Sequence, residues 1–164
     1  MSNSDQSREH LIELAKGFST AVLVSHNADG TFAARPTNIA KIDGSGDAYF
    51  STSLHSPKIS ELQANPEMLL TMQNSSQFVT LRGLGRIERD KYLINDLWSE
   101  AWRVWFPKGP DDPELCLICM TITSGEYWDN AGTNGAKYFF SAVKSFVSGR
   151  PPSTDEAQHD KVEV

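Results

Sequence analysis

The chain has 164 residues, of which 39% are hydrophobic, 22% charged and 10% aromatic, a composition that supports one folded domain and excludes wholesale disorder. With 15 Lys and Arg against 21 Asp and Glu the net charge is −6, which argues against a nonspecific binder of nucleic acid or of anionic membranes. No run approaches the ~18–20 continuous apolar residues of a membrane span, the opening MSNSDQSREH lacks the pattern of a signal peptide, and a cytoplasmic location is expected.

Ser7 is placed as the cap of a first helix in which Leu11, Leu14, Ala15 and Phe18 recur at helical spacing. TAVLVSHN follows as a valine-rich strand, and the turn Asn27-Ala28-Asp29-Gly30 leads into the extended run TFAARPTNIAKID. Asp43-Gly44-Ser45-Gly46 closes that run and DAYFSTS begins the next strand. Connections this short require antiparallel neighbours. Ser56 caps a second helix with Pro57 at its first position and Asn65-Pro66 as its stop.

MLLTMQN and FVTLRGLGRIERD supply two further strands, and Gly83 and Gly85 in the second point to a bulge or a close backbone approach at a barrel bend. A further helix is predicted over residues 91–105 from the spacing of Leu93, Leu97, Ala101 and Val104 or Trp105. FPKGPDDPE reads as a loop, LCLICMTIT as the last long strand and GEYWD as its exit. The sum, about six strands and two or three helices, is an α+β domain, mainly β, built on a small antiparallel barrel with flanking helices. AKYFFSAVKSFVSG carries Phe139, Ala142, Val143 and Phe146 on one helical face, whereas RPPSTDEAQHDKVEV has the composition of a disordered acidic tail. The expected division is a domain over residues 1–149 and a tail over 150–164.

Cys116 and Cys119 lie in an apolar strand at a spacing that sends them to opposite faces, and they read as packed thiols rather than a redox pair. His10, His26, His55 and His159 lack metal-ligand spacing, so no metal site is expected. Neither a nucleophile beside a base nor a pair of carboxylates stands out, and no catalytic residue is assigned.

The most informative stretch is FSTSLHSPKISELQANP, a hydroxyl-rich strand running into a helix with Lys58 in its first turn. The helix dipole disfavours a cation there by a few tenths to ~1 kcal/mol. Either a bound anion compensates it or the helix is ordinary and its lysine solvated. A phosphate would use the free amides at the helix start, the hydroxyls of Ser51, Thr52, Ser53 and Ser56, and the Lys58 charge. Arg35, within the otherwise uncharged stretch 31–40, offers a second cation on a neighbouring strand; the alternative is a surface arginine facing a carboxylate. Pro36 after it removes a ladder donor, as at an edge strand or bulge.

Taken in order, Ala34-Arg35-Pro36-Thr37, FSTSLHSPKISELQANP, Arg82-Gly83, a Trp-rich segment ending in WFPKGPDDPEL, and GEYWD resemble the flavin-binding split barrels related to pyridoxamine 5′-phosphate oxidase, general stress protein branch. The resemblance covers residues 7–129 and implies a six-stranded antiparallel split β-barrel and a homodimer, with FMN (or FAD) in a groove at the subunit interface. Position by position it implies that Arg35, Lys58 and Ser56 hold the FMN phosphate. Thr37 and the backbone of Pro36 and Asn38 would line the flavin ring, Ser51 and Thr52 would be the paired residues of the third strand, and Trp128 would reach the partner's cofactor. Pro57 stands where pyridoxamine phosphate oxidases carry a basic residue, and the Arg-x-His beyond the strand exit is replaced by Asp129-Asn130-Ala131-Gly132-Thr133. Oxidation of a vitamin B6 phosphate is therefore not expected.

Trp98, Trp102, Trp105, Phe106, Tyr127 and Trp128 suit a core, a flavin groove or a dimer interface, and helical spacing puts Trp98, Trp102 and Trp105 on one buried side. The expected function is an FMN-binding oxidoreductase with a small electron donor such as NAD(P)H, visiting an open flavin face because no GxGxxG fingerprint is present. The alternatives are a stress protein that sequesters or senses the flavin without turnover, and a flavin-free interaction module.

Overall fold

A computed structural model describes residues 3–131 and 159–164. Its frame is an antiparallel sheet of eight strands among these residues, ordered β2-β1-β5-β6-β7-β4-β3, with β8 also pairing to β7. The strands are β1 Thr20–His26, β2 Phe32–Asn38, β3 Lys41–Ile42, β4 Asp47–Ser53, β5 Glu67–Gln73, β6 Gln77–Glu88, β7 Leu115–Asp129 and β8 His159–Glu163. Three helices flank it, α1 Asn3–Lys16, α2 Pro57–Ala64 and α3 Lys91–Leu97. Six strands of seven or more residues form the split barrel that the sequence pattern describes; β3 and β8 are short additions.

The sheet closes through one run of chain. β2 pairs along its whole length with β1, then Ile39 N–H still donates to Ser19 O at 2.9 Å while Ala40 N–H donates to Tyr49 O at 2.8 Å. From there β3 pairs with β4. The sequence reads TFAARPTNIAKID as one strand; the structure divides it at Ile39 and Ala40, where the backbone passes from one sheet edge to the other.

Alternation along the strands places Leu23, Leu70, Val79, Leu81, Ile118 and Met120 in the main core at 0–1% exposure. Helix α1 closes one mouth with Leu11, Ile12 and Ala15, and begins at Asn3 instead of being capped by Ser7. Its first turn is polar, with Asp5 favourable at the positive end of the dipole, so the apolar period starts later than the helix does.

Glycines let β6 pass close to its neighbours. A Cβ on Gly83 would strike the Thr121 carbonyl, and one on Gly85 would strike Met68 and Leu62. The bulge lies opposite, in β7: Arg82 pairs with Ser124 and Gly83 with Ile122, so Thr123 is the extra residue.

The helix expected over residues 91–105 is broken. Asp90 caps α3, accepting from Tyr92 N at 2.8 Å, and the chain leaves helical geometry at Trp98. Ser99 then caps a separate 3₁₀ helix, Glu100–Val104. The break changes the phase of the tryptophans. Trp102 is buried with Ile94, Phe106, Leu115 and Leu117 in a satellite core, whereas Trp105 is 77% exposed and leaves the expected seam.

Residues 159–163 correct the expectation of a disordered tail, because they form β8 on the free edge of β7 beyond β4. Val162 reaches the core, Glu126 pairs with His159 at 2.7 Å, and the His159 ring stacks on Trp128 at 4.5 Å. Cross-strand pairs with β7, Val162 being the buried one, seat a strand that composition marks as polar. The predicted helix within residues 136–149, and residues 150–158 of the tail, lie outside the described residues. Cys116 and Cys119 are both free and buried, and burial pushes each thiol up to about 11. Among the described residues no helix is long and apolar enough to cross a membrane.

Gly83→Ala is expected to lower stability by ~1–3 kcal/mol, the range for overpacking a closed interior, because the added methyl meets backbone that cannot move aside. Urea unfolding followed by far-UV circular dichroism reads the difference, and an unchanged midpoint would contradict the close approach.

Candidate functional site

The closure that joins β2 to β4 leaves a cleft of about 760 Å³ at the side of the barrel. One wall comes from the end of β2, with Pro36, Thr37 and Asn38, and from the crossing residues Ile39 and Ala40. The second comes from the end of β4 and the start of α2, with Ser51, Thr52, Ser53, Ser56 and Lys58. The third is apolar: Leu97, Trp102, Trp105 and Phe106, carried by the broken helix. The cleft therefore has a hydroxyl-rich end and an aromatic end, and Lys58 is the sole ionisable side chain among the residues that line it.

The strand-to-helix corner is built by local chemistry. Ser56 N–H donates to Ser53 O at 2.9 Å, and Ser56, in extended backbone, accepts from Lys58 N–H at 3.4 Å. Pro57 occupies the first helical position, where a missing amide hydrogen is harmless. This geometry sets Lys58 half-buried in the first turn, on the dipole's unfavourable side. Its ammonium forms no hydrogen bond or ion pair among the described residues. Burial, and next the charge of Arg35, lower the Lys58 pKa, with partial relief from Glu61.

Arg35 comes from β2. Its register partner on β1 is Leu23, a core residue, so the arginine side chain is directed to the inner face of the sheet. There it meets Glu61 of α2, one turn beyond Lys58. Arg35 Nη2 donates to Glu61 Oε2 at 2.7 Å and Ser25 Oγ donates to the same oxygen at 2.6 Å. The side chains of Arg35 and Glu61 are 23% and 11% exposed, so the pair is largely withdrawn from water. Burial alone would raise the Glu61 pKa, but the hydrogen bonds from Ser25 and Arg35, with the charges of Arg35 and Lys58, hold it below the ordinary 4.5. Arg35 Nη1 is buried and has no acceptor among the described residues.

The structure thus gathers seven of the nine sequence-predicted positions, Pro36, Thr37, Asn38, Ser51, Thr52, Ser56 and Lys58, around one cleft. Arg35 stands behind the lining, near enough to Lys58 for their charges to interact. Arg35 faces a carboxylate, as the second alternative has it, yet is not a surface residue. Trp128 lies elsewhere, on a separate groove of about 410 Å³ with Thr71, Met72, Phe78 and Asn130. Glu61 and Ser25 are additions that sequence reading did not single out. Spacing from Lys58 put Glu61 on the same side of the helix, but nothing in the chain order announced that β1 and β2 would face it.

A phosphate-bearing group fits this donor set. An orphaned buried guanidinium nitrogen calls for an acceptor, an unpaired ammonium stands beside it, and Ser51, Thr52, Ser53 and Ser56 supply hydroxyls.

The sequence model of the pyridoxamine 5′-phosphate oxidase-like family matches residues 6–153. The chain belongs to this family. Comparison with curated proteins gives no match. Among solved structures, general stress protein 26 from Bacillus anthracis superposes with a TM-score of 0.65 at 23% identity, covering 73% of this chain and 92% of that one. The general stress FMN/FAD binding protein from Xanthomonas citri gives a TM-score of 0.64 at 22% identity over 78% of this chain and 92% of that one. A pyridoxamine 5′-phosphate oxidase-related, FMN binding protein from Nostoc punctiforme gives 0.64 at 13% identity over 100% and 97%. These likenesses establish the fold, a split barrel.

Because the folded Glu61 pKa is depressed, its stabilising contribution is complete above the unfolded value near 4.5 and is lost as pH falls through the lower folded value. Glu61→Gln is expected to flatten the acid limb of the stability profile as pH falls below the unfolded value near 4.5. Thermal midpoints across that limb check it, and parallel limbs for wild type and variant would contradict the assignment.

Proposed function

We propose that this member of the pyridoxamine 5′-phosphate oxidase-like family is an FMN-binding flavoprotein acting as an oxidoreductase with a small electron donor such as NAD(P)H. The observation that carries the reading is the meeting of Lys58, unpaired in the first turn of α2, with Arg35, whose Nη1 is buried without an acceptor. Two cations converging beside four hydroxyls suit a phosphate monoester, which carries close to two negative charges. Lys58, Ser56 and Arg35 would hold the phosphate, and Ser51 and Thr52 would lie along the same wall. Thr37 and the backbone of Pro36 and Asn38 would line the ring system.

The bound flavin would supply hydride or single-electron transfer, the chemistry that the chain itself lacks. Lys58 is the single ionisable group lining the cleft, so the protein's part is to bind, orient and exclude water. The aromatic wall of Trp102, Trp105 and Phe106 suits a planar ligand. The Xanthomonas citri and Nostoc punctiforme structures, named as flavin-binding proteins, support the assignment of a flavin.

A homodimer with the flavin at its interface gives Trp128 its place in this reading. Trp128 is remote from its own cleft, and the half-exposed Val22 and Phe78 mark the apolar side of the sheet on which it lies. Free buried thiols suit a cytoplasmic setting. Oxidation of a vitamin B6 phosphate is no part of the proposal, because Asn130 and Ala131 stand where the oxidases begin their Arg-x-His.

Lys58→Ala and Arg35→Ala are each expected to weaken FMN binding by ~2 kcal/mol or more, since each leaves charged phosphate oxygens underpaired. Riboflavin, which lacks the phosphate, should bind the wild type far more weakly than FMN. Quenching of flavin fluorescence measures both, and equal FMN affinity in all three proteins would remove the phosphate assignment.

Anaerobic mixing of the FMN-loaded protein with NADH or NADPH is expected to bleach the oxidised flavin band at catalytic rates. A band that stays unchanged with either donor would favour the flavin-storing or flavin-sensing role over an oxidoreductase.

A further inference from the structure

Arg35 is held asymmetrically. Its Nη2 is tied to Glu61 at 2.7 Å, and the same carboxylate oxygen is fixed from the far side by Ser25 Oγ at 2.6 Å. Its Nη1, on the other arm of the fork, is buried with no acceptor among the described residues. An arginine whose two arms both served an internal ion pair would make a bidentate contact with both carboxylate oxygens. Here a single oxygen, Oε2, serves Arg35 Nη2 and Ser25 together.

An unsatisfied buried donor on a charged group costs more than a missing contact at the surface. The arrangement becomes intelligible if the second arm is kept for an oxyanion. Glu61 also answers a problem that the two cations create. Without a carboxylate nearby, Arg35 and Lys58 would repel one another in a half-dehydrated site, and the long arginine side chain would swing toward water. Glu61 sits three residues after Lys58 on α2 and reaches across to β2, so one helix presents both the ligand cation and the group that anchors the other cation.

We propose that Glu61 is a positioning residue, which with Ser25 holds the Arg35 guanidinium behind the cleft wall on the side of Lys58, so that its positive charge acts on the phosphate of the bound ligand. The proposal rests on the reading of the cleft as an FMN site and deepens it. Glu61 itself touches no ligand, and as a carboxylate whose charge also acts on Lys58 it would oppose an anion, so a loss of affinity on its removal must pass through Arg35. That distinguishes it from a charge that merely neutralises the arginine until an anion displaces it.

The test compares FMN, riboflavin and inorganic phosphate on the full-length protein by fluorescence quenching and, for phosphate, by competition with FMN. Glu61→Ala is expected to lose FMN affinity by roughly tenfold or more while riboflavin affinity is unchanged, which also shows that the variant is folded. Glu61→Gln keeps an acceptor oxygen for Arg35 and removes the repulsive charge, so it should bind FMN at least as well as wild type. Ser25→Ala should move FMN affinity in the same direction as Glu61→Ala and by less. In an Arg35→Ala background, removing Glu61 should no longer lower FMN affinity.

If Glu61→Ala leaves the FMN to riboflavin ratio unaltered or binds FMN more tightly, the positioning role is overturned and the flavin site stands. If wild type binds neither FMN in preference to riboflavin nor inorganic phosphate, the flavin site itself falls and the role of Glu61 falls with it.

Discussion

The site depends on how the barrel closes. A single stretch of backbone, from β2 through Ile39 and Ala40 into β3, is hydrogen-bonded to β1 at one end and to β4 at the other. This crossing brings Pro36, Thr37 and Asn38 opposite Ser51, Thr52 and Ser53, though 13 or more residues separate the two groups in sequence. Sheet edges cannot be left open in a small domain without exposing unpaired amides and carbonyls. Here the incomplete closure of that edge is what creates the cleft, and α2 enters at the same place with Ser56 and Lys58.

Electrostatics then give the cleft its chemical direction. Two cations and one carboxylate share a region of low exposure, and one carboxylate oxygen, Oε2, is engaged by both Arg35 and Ser25. The local balance is positive in a chain whose net charge is −6. An anionic ligand is therefore drawn to one corner of the molecule and discouraged elsewhere. The apolar third wall adds area for a planar group, and the break between α3 and the following 3₁₀ helix is what turns Trp105 outward to line it while Trp102 remains in the satellite core. Membership of the pyridoxamine 5′-phosphate oxidase-like family and the superposition on other split barrels agree with the barrel frame that carries this cleft.

At the opposite side of the sheet, β7 serves two partners along one edge, β4 over residues 115–121 and β8 over residues 124–128. The bulge at Thr123 separates them, and Thr123 O accepts from Val164 N–H at 2.7 Å. β8 thereby fixes the Trp128 indole between the strand and His159. A long strand that changes neighbour at its bulge can carry two independent functions on one edge, one closing the barrel and one shaping a surface.

Much of this was legible in the chain. Valine-rich alternation, the Asn27 to Gly30 and Asp43 to Gly46 turns and the Ser56-Pro57 helix start are local signals, so they announced β1, β2, β4 and α2. The anomalous lysine after that cap and the lone arginine in an uncharged strand announced the candidate site, because each violates a local preference for no local gain. Other features needed the fold. Helical periodicity across residues 91–105 carried no sign of the break at Trp98, since Ser99 competes for the cap only once Trp102 and Phe106 have a core to enter. Composition marked residues 150–164 as tail, and the pairing of residues 159–163 depends on a free edge of β7 more than thirty residues away. Sequence by itself determined which residues were out of place and hence worth a ligand; tertiary structure decided that Glu61 and Ser25 stand behind Arg35. Contact between strands and a helix far apart in the chain is set by closure of the sheet, which no local propensity encodes.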